Sequence, residues 1–141
     1  MNGHIIIEEA VNALDENALK AKLPLEGCGA VVSFLGITRG TEGDTEVLRL
    51  EFDAWQEQLA SVLNGLAEQA IELHGVQCVA MAHRVGSVGP QEPIVSIHVG
   101  SPHRKEAFRA CEWLIDELKK QAPLWKKEVT TEGATWKAGL G

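Results

Sequence analysis

The sequence contains no tyrosine and only three phenylalanines and four tryptophans among its 141 residues. Basic residues are also the minority, because 13 lysines and arginines stand against 20 aspartates and glutamates, a net charge of −7. Nucleic-acid surfaces need a broad basic face with interleaved aromatic residues, and anionic membranes also select for basic faces. Both partners are therefore disfavoured, whereas a small basic pocket remains compatible with an acidic chain.

Cysteines are few, and long apolar runs are missing. The three cysteines, Cys28, Cys78 and Cys111, form no CxxC motif, and each lies in an apolar stretch. This pattern predicts buried free thiols in a reducing compartment. The beginning of the chain lacks the features of a signal peptide, and no apolar run reaches the length of a membrane span. We therefore expect a cytoplasmic protein.

Motifs for phosphate, dinucleotide and nucleophile sites are absent, since no P-loop, GxGxxG or GxSxG occurs. The five histidines show no metal-ligand spacing. We expect neither a metal nor a cofactor. The stretch "HRVG" at 83–86 is interpreted as structural rather than catalytic.

The length fits one domain over residues 1–141, with an α+β fold in which a mixed or antiparallel sheet combines with three helices. "GTEGDT" at 40–45 predicts a turn or flexible loop, and Ser101 is the expected N-cap of the third helix. The predicted strands cover 4–9, 27–39, 46–52, 76–86 and 92–100, with two short strands about Gly133, and the predicted helices cover 15–23, 54–75 and 101–123.

Apolar periodicity predicts which faces of three of these segments are buried. The predicted buried sets are Leu48, Leu50 and Phe52 in strand 46–52, then Trp55, Leu59, Val62, Leu66, Ala70 and Leu73 in helix 54–75, and Phe108, Cys111, Ile115 and Leu118 in helix 101–123.

Two arginines and a histidine are candidates for anion binding. His103 and Arg104 begin a helix, where free N–H groups and the helix dipole favour an anion. Arg104 opposes that dipole, which a bound phosphate would explain; a solvated arginine beside a surface histidine is the equally weighted alternative. Arg39 ends the apolar strand in "FLGITRG" and has a fork suited to phosphate or carboxylate, although an ordinary strand-end arginine is the simpler interpretation.

Four lysines cluster near the end of the chain. Lys119 and Lys120 lie in the last turn of a helix, where cations are stabilising. Lys126 and Lys127 follow in "PLWKKE", and because neighbouring strand residues point to opposite faces, at most one faces a given pocket. An edge strand made hydrophilic by lysine is the alternative. Pro123 turns the chain back, so Lys126 is expected to return beside Lys119.

Five segments in this order resemble the large, catalytic subunit of molybdopterin synthase, the MoaE family. They are "GAVVSFLGITRG", "LEFDAWQEQ", "MAHRVGSV", "VSIHVGSPHRKEAFRACEWLIDELKKQAPLWKKE" and "EGATWK". The resemblance implies a MoaE-like α/β hammerhead fold, a dimer of large subunits, and conversion of cyclic pyranopterin monophosphate to molybdopterin. The sulfur would come from the C-terminal Gly-Gly thiocarboxylate of a small ubiquitin-like subunit.

The resemblance also implies residue roles. Lys119 matches the lysine beside the partner's terminal glycine, and Lys126 matches the second active-site lysine. Arg39, His103 and Arg104 match the substrate-anion pocket, with the last two supplied by the neighbouring large subunit, and Phe34 matches a pocket wall. The chain departs from the family pattern in the acidic loop 40–45, in "LEFDAW" where "LEYEAY" is common, and in Ile115 and Leu140 where some members carry methionine and arginine.

Without the resemblance, a non-catalytic dimeric module that binds an anionic metabolite or a ubiquitin-like tail would be preferred, because no motif here is sufficient by itself. Turnover with the thiocarboxylated partner distinguishes that alternative from the synthase.

Overall fold

The computed structural model describes residues 4–54 and 56–138, and three helices and nine strands lie within these ranges. The predicted α+β class with three helices is confirmed. The helices are α1 (Glu16–Ala21), α2 (Gln56–His74) and α3 (Arg104–Gln121). The strands are β1 (Ile5–Ala10), β2 (Ala30–Ile37), β3 (Thr41–Glu42), β4 (Thr45–Ala54), β5 (Cys78–Arg84), β6 (Gly86–Val88), β7 (Pro93–Ser101), β8 (Leu124–Thr130) and β9 (Gly133–Ala138).

The strands form two sheets rather than one. The first has the order β1-β5-β7-β2, in which β1 and β5 are parallel and the other neighbours antiparallel. The second is antiparallel, with the order β3-β4-β8-β9 and β6 also paired with β4. Helices α2 and α3 pack on one face of the first sheet, and α1 packs on the other. The short step from β5 to β6 carries the chain from the first sheet into the second.

The predicted buried faces of the helices are confirmed in part. Of the predicted residues, Leu59, Leu66, Ala70, Cys111 and Leu118 are buried, and Val62 and Ile115 pack partly buried against the same core. In α2, Leu73 is 64% exposed, whereas the buried set is Leu59, Leu63, Leu66, Ala67 and Ala70. In α3, Phe108 is 59% exposed, and the buried set is Ala107, Ala110, Cys111, Leu114 and Leu118. Because Ala107 and Ala110 are small, the face of α3 that includes them can approach the sheet closely. This face is therefore buried instead of the face that carries the bulkier Phe108. Trp55 of the predicted stripe lies outside the described residues.

Strand β4 changes its buried face partway along. Leu50 and Phe52 are buried as predicted, but Leu48 is 44% exposed and Val47 is buried instead. The pairing of β4 with β8 shifts register between Val47 and Arg49. Such an irregularity breaks the strict alternation of strand side chains, which is why the prediction for Leu48 was wrong.

Two local predictions have different outcomes. Segment 40–45 contains the predicted turn, at Gly43, whose φ is +62°, but it is a short hairpin rather than a flexible loop, since β3 pairs with the start of β4. Ser101 is not the N-cap of α3, because β7 continues through it. His103 occupies the cap position without a side-chain cap hydrogen bond, and the helix begins at Arg104.

Candidate active site

A cavity of about 300 Å³ is lined by residues of both sheets and of α3. Apolar walls come from Phe34 of β2, from Leu50 and Phe52 of β4 and from Ile115 of α3. A pocket of this size with apolar walls and a few polar groups suits a small organic ligand. Two residues near the expected pocket depart from the family pattern. Ile115 lies in this wall, and Leu140 lies outside the described residues.

Three cations line the cavity. Arg39 follows β2, Lys119 belongs to the last turn of α3, and Lys126 belongs to β8. The side chains of Arg39 and Lys119 are exposed, whereas Lys126 is half-buried. The turn after α3 thus returns the chain so that both lysines line one cavity, the arrangement expected from the sequence. Their chemical roles remain predictions.

Lys127 lies on the other face of β8 from Lys126. Its Nζ atom is 5.4 Å from the ring centroid of Trp136, the residue directly opposite it on β9. A cation over an aromatic face at this distance is a favourable cation–π contact. Strand alternation therefore separates the adjacent lysines as predicted, and only Lys126 lines the cavity.

Two carboxylates accompany the cations. Glu42 of the hairpin 40–45 is exposed, and Glu128 is 9% exposed on the same face of β8 as Lys126. Neither was predicted from the sequence. Because strand residues two positions apart lie on the same face, the position of Glu128 could have been predicted from that of Lys126. Glu42 could not have been predicted in this way, since it reaches the cavity only because β3 folds back against β4.

His83 forms part of the cavity at a fully buried position at the end of β5. Its Nδ1 lies 2.6 Å from the carbonyl oxygen of Arg84, and its ring contacts Phe52 edge-on, with centroids 5.2 Å apart. Burial lowers the pKa of His83 to about 4, so the ring is neutral near pH 7. The structural interpretation of "HRVG" suits Arg84, which donates to the backbone oxygens of Ser87 and Val11. His83 is in addition a cavity residue, which sequence analysis missed.

His103 and Arg104 lie at a second cavity, at the start of α3. Gly29, Pro102, Lys105 and Glu106 complete its lining, and both predicted residues are exposed there. Neither of them lines the cavity that contains Lys119 and Lys126. A single chain therefore brings together Phe34, Arg39 and the two lysines, but not all six predicted residues.

Comparison with known proteins identifies the family of this chain. Residues 8–121 match the family model described as MoaE protein. The chain belongs to the MoaE family. It is 40% identical over 111 residues to the molybdopterin synthase catalytic subunit of Caulobacter vibrioides, covering 79% of this chain and 73% of that protein. It is 37% identical to the subunit of the same name from Culex quinquefasciatus, covering 88% and 82%.

Solved structures agree with this MoaE assignment. A molybdopterin synthase structure from Staphylococcus aureus superposes with a TM-score of 0.88 at 29% identity, covering 93% of this chain and 96% of that one. A complex of subunits 1 and 2 of molybdopterin-converting factor from Helicobacter pylori superposes with a TM-score of 0.77 at 25% identity, covering 94% and 90%.

Within the described part of this MoaE chain, no three histidine, cysteine or acidic residues are grouped as metal ligands. None of its described helices is long and apolar enough to cross a membrane.

Proposed function

We propose that this chain is the catalytic subunit of a molybdopterin synthase, which transfers sulfur from a small ubiquitin-like subunit to cyclic pyranopterin monophosphate. The observation that carries the proposal is the cavity in which Arg39, Lys119 and Lys126 converge in a member of the MoaE family. The relatives at 40% and 37% identity are molybdopterin synthase catalytic subunits, which supports the same activity here.

The reaction brings two anions together, the substrate phosphate and the partner's terminal thiocarboxylate. The thiocarboxylate sulfur attacks a side-chain carbon of the pyranopterin, and the new C–S bond replaces a C–O bond at that carbon, whose oxygen leaves with the electron pair. Water then hydrolyses the resulting thioester, which leaves the sulfur on the product and a carboxylate on the partner, and a second thiocarboxylate supplies the second sulfur. Cations in a partly dry cavity stabilise the charge that develops in both steps. We assign this role to Lys119 and Lys126, of which one transfers protons, and phosphate binding to Arg39.

The partner is a small subunit whose extended C-terminal Gly-Gly tail enters the cavity. The Helicobacter pylori complex of two molybdopterin-converting factor subunits supports such a pairing. An extended tail fits an opening between strands and a helix end better than a globular surface would. The apolar wall at Phe34 packs against the tail or the substrate.

A second copy of the chain completes the site. His103 and Arg104 lie at a cavity of their own, away from the lysines, so within one chain they are not part of the same pocket. In a two-fold dimer the start of α3 of one copy approaches the lysine cavity of the other and adds two phosphate-binding groups. The three free cysteines suit a reducing compartment, so we place the enzyme in the cytoplasm.

Reconstitution with the thiocarboxylated partner tests the proposal. Lys119→Ala is expected to lower turnover about 100- to 1000-fold, the usual effect of removing one group that stabilises transition-state charge. Lys126→Ala should also impair turnover strongly. Lys127→Ala is its matched control, because this neighbouring lysine contacts Trp136 on the opposite face, and it should retain wild-type turnover.

Mixed dimers test the shared site in the same assay. Lys119→Ala and Arg104→Ala chains, each inactive alone, should regain roughly a quarter of wild-type activity when refolded together, because half of the dimers are hybrids with one intact site. Wild-type protein that binds the partner without turnover would support the non-catalytic module instead. Equal losses in Lys126→Ala and Lys127→Ala would contradict the assigned site, and no recovery in the mixture would contradict the shared dimer.

A further inference from the structure

Two buried polar side chains lie at the deep end of the lysine cavity. Thr38 is 1% exposed and His83 is 0% exposed, and both line this cavity. The Oγ1 atom of Thr38 and the Nε2 atom of His83 find no hydrogen-bond partner within residues 4–54 and 56–138. Buried polar atoms in native proteins nearly always have a hydrogen-bond partner, so each of these two atoms requires one from water or from a ligand. We call Thr38 and His83 the cavity floor.

The hydrogen bond at Nδ1 fixes what His83 offers. The carbonyl oxygen of Arg84 can only accept, so Nδ1 carries the proton and donates across 2.6 Å. In the neutral ring Nε2 therefore has a lone pair and accepts a hydrogen bond. Burial lowers the pKa of His83 to about 4, so the ring is neutral.

Thr38 is held in place by its backbone. Its N–H donates to the carbonyl oxygen of Glu92 across 3.0 Å, and its own carbonyl accepts from Gln91 across 2.7 Å. The side-chain hydroxyl takes part in neither bond. Rotation about χ1 moves the hydroxyl and the methyl group together, and rotation about the Cβ–Oγ1 bond redirects the hydroxyl hydrogen alone.

Charge and burial divide the cavity into two regions. Arg39 and Lys119 are exposed, whereas Thr38 and His83 are buried and uncharged, and the ring of Phe52 contacts His83. Lys126, opposite Phe52, is half-buried, and Glu128 is 9% exposed. An anion on the floor would lose its water close to a buried glutamate, so phosphate and thiocarboxylate belong at the exposed cations. A flat neutral heterocycle with N–H groups suits the floor, because aromatic walls contact its faces and a lone pair accepts from its edge.

We propose that the cavity floor binds the pterin ring of the substrate, with His83 Nε2 accepting a hydrogen bond from a ring N–H and the Thr38 hydroxyl completing the polar contact. This inference rests on the proposed function and adds the recognition of the ring to that of the phosphate. Each of the two atoms has less than 1 Å² exposed, so both bonds require that neighbouring side chains shift as the ligand enters.

Matched variants separate binding from folding. Thr38→Val keeps the shape and removes the hydroxyl, and Thr38→Ser keeps the hydroxyl. His83→Asn retains an N–H for the Arg84 carbonyl and removes the acceptor at the position of Nε2. In calorimetric titration of the dimeric large subunit with cyclic pyranopterin monophosphate, Thr38→Val and His83→Asn should each raise Kd about threefold to tenfold, the value of one neutral hydrogen bond. Thr38→Ser should bind like wild type.

The stability of Thr38→Val provides a second readout. Because the valine removes an unpaired buried hydroxyl, its unfolding temperature should equal or exceed that of wild type while its affinity for the pyranopterin falls. A purely structural threonine would not combine these two effects. In the complete synthase, both variants should raise KM for the pyranopterin and leave KM for the thiocarboxylated partner unchanged.

Unchanged Kd in folded Thr38→Val and His83→Asn would overturn the inference. A rise in KM for the partner instead of the pyranopterin would also overturn it, because the N–H donor would then be a peptide group of the tail. If His83→Asn fails to fold, Thr38→Val alone decides. The titration needs no turnover, so a failure of the sulfur-transfer proposal, seen as an inactive wild-type synthase, is distinguished from a failure of this one.

Discussion

Two buried histidines make the stability of this protein depend on pH. His83 and His98 each have a pKa lowered from 6.5 to about 4, mainly by burial. Lys20 adds a smaller repulsion at His98, whose ring nitrogens are bonded to the hydroxyls of Ser33 and Ser96 at 2.7 and 2.5 Å. The cations that share the cavity with His83 also oppose its protonation, and Glu42 and Glu128 act in the other direction.

The sign follows from proton binding in the two states. Below pH 6.5 the unfolded chain protonates these histidines, whereas the folded protein does so only near pH 4, so stability is complete above 6.5 and falls as the pH drops toward 4. Each histidine contributes a slope of up to about 1.4 kcal/mol per pH unit in this window. Between pH 7.5 and 5 the expected loss is about 2 kcal/mol for each histidine, and about 4 kcal/mol for both.

Urea unfolding followed by tryptophan fluorescence at half-unit steps from pH 7.5 to 5 measures this loss. Work above pH 5 keeps carboxylate protonation small. His83→Asn removes one of the titrating groups, so its slope between pH 6 and 5 should be about half that of wild type. His98→Asn should behave in the same way. A wild-type free energy of unfolding that stays constant down to pH 5.5, or slopes unaffected by both substitutions, would refute the reasoning.

Other predictions concern the backbone and the core. A Cβ at Gly29 would meet the carbonyl oxygen of Pro102 at 2.5 Å, so Gly29→Ala should cost about 1–3 kcal/mol of unfolding free energy and shift the segment with His103. Gly65 lies in mid-helix, where a Cβ would meet no atom within 4 Å, and as the control Gly65→Ala should stabilise by about 0.5–1 kcal/mol. Leu114→Ala should cost about 2–5 kcal/mol because its side chain is wholly buried, whereas Leu73→Ala should change stability by less than about 0.5 kcal/mol. Denaturant unfolding checks both pairs, and equal effects within either pair would contradict the packing described.

Local rules predicted much of the chain. Asp15 caps α1 and accepts a hydrogen bond from Ala18, and Gly75 adopts a φ of +70° directly after α2, as its placement suggested. Both features depend on a few neighbouring residues, so they can be predicted from the sequence. The separation of Lys126 from Lys127 has the same origin, since it follows from the period of a strand alone.

Longer-range features were not predictable in this way. The sequence does not show which helix face meets the sheet when a bulky residue such as Phe108 competes with Ala107 and Ala110, because the result depends on how closely the elements pack. The irregularity that buries Val47 and exposes Leu48 arises from pairing with β8, a strand that lies far away along the chain. Ser101 likewise pairs with Ala30 of β2, so β7 extends through Ser101 and this residue does not cap α3.

The candidate site combines both kinds of information. The sequence by itself determined that at most one of the adjacent lysines Lys126 and Lys127 can face a pocket, because neighbouring strand residues point to opposite faces. The resemblance to the MoaE family then selected Lys126, together with Lys119 and Arg39. Only the tertiary structure decided that these cations share one cavity, that His103 and Arg104 lie elsewhere in the same chain, and that Thr38 and His83 form the floor. The physical reason is that a charged residue near the end of a strand or helix can be recognised from its neighbours in the sequence. The role of a buried polar atom depends instead on the groups that surround it in the folded chain, and these come from distant parts of the sequence.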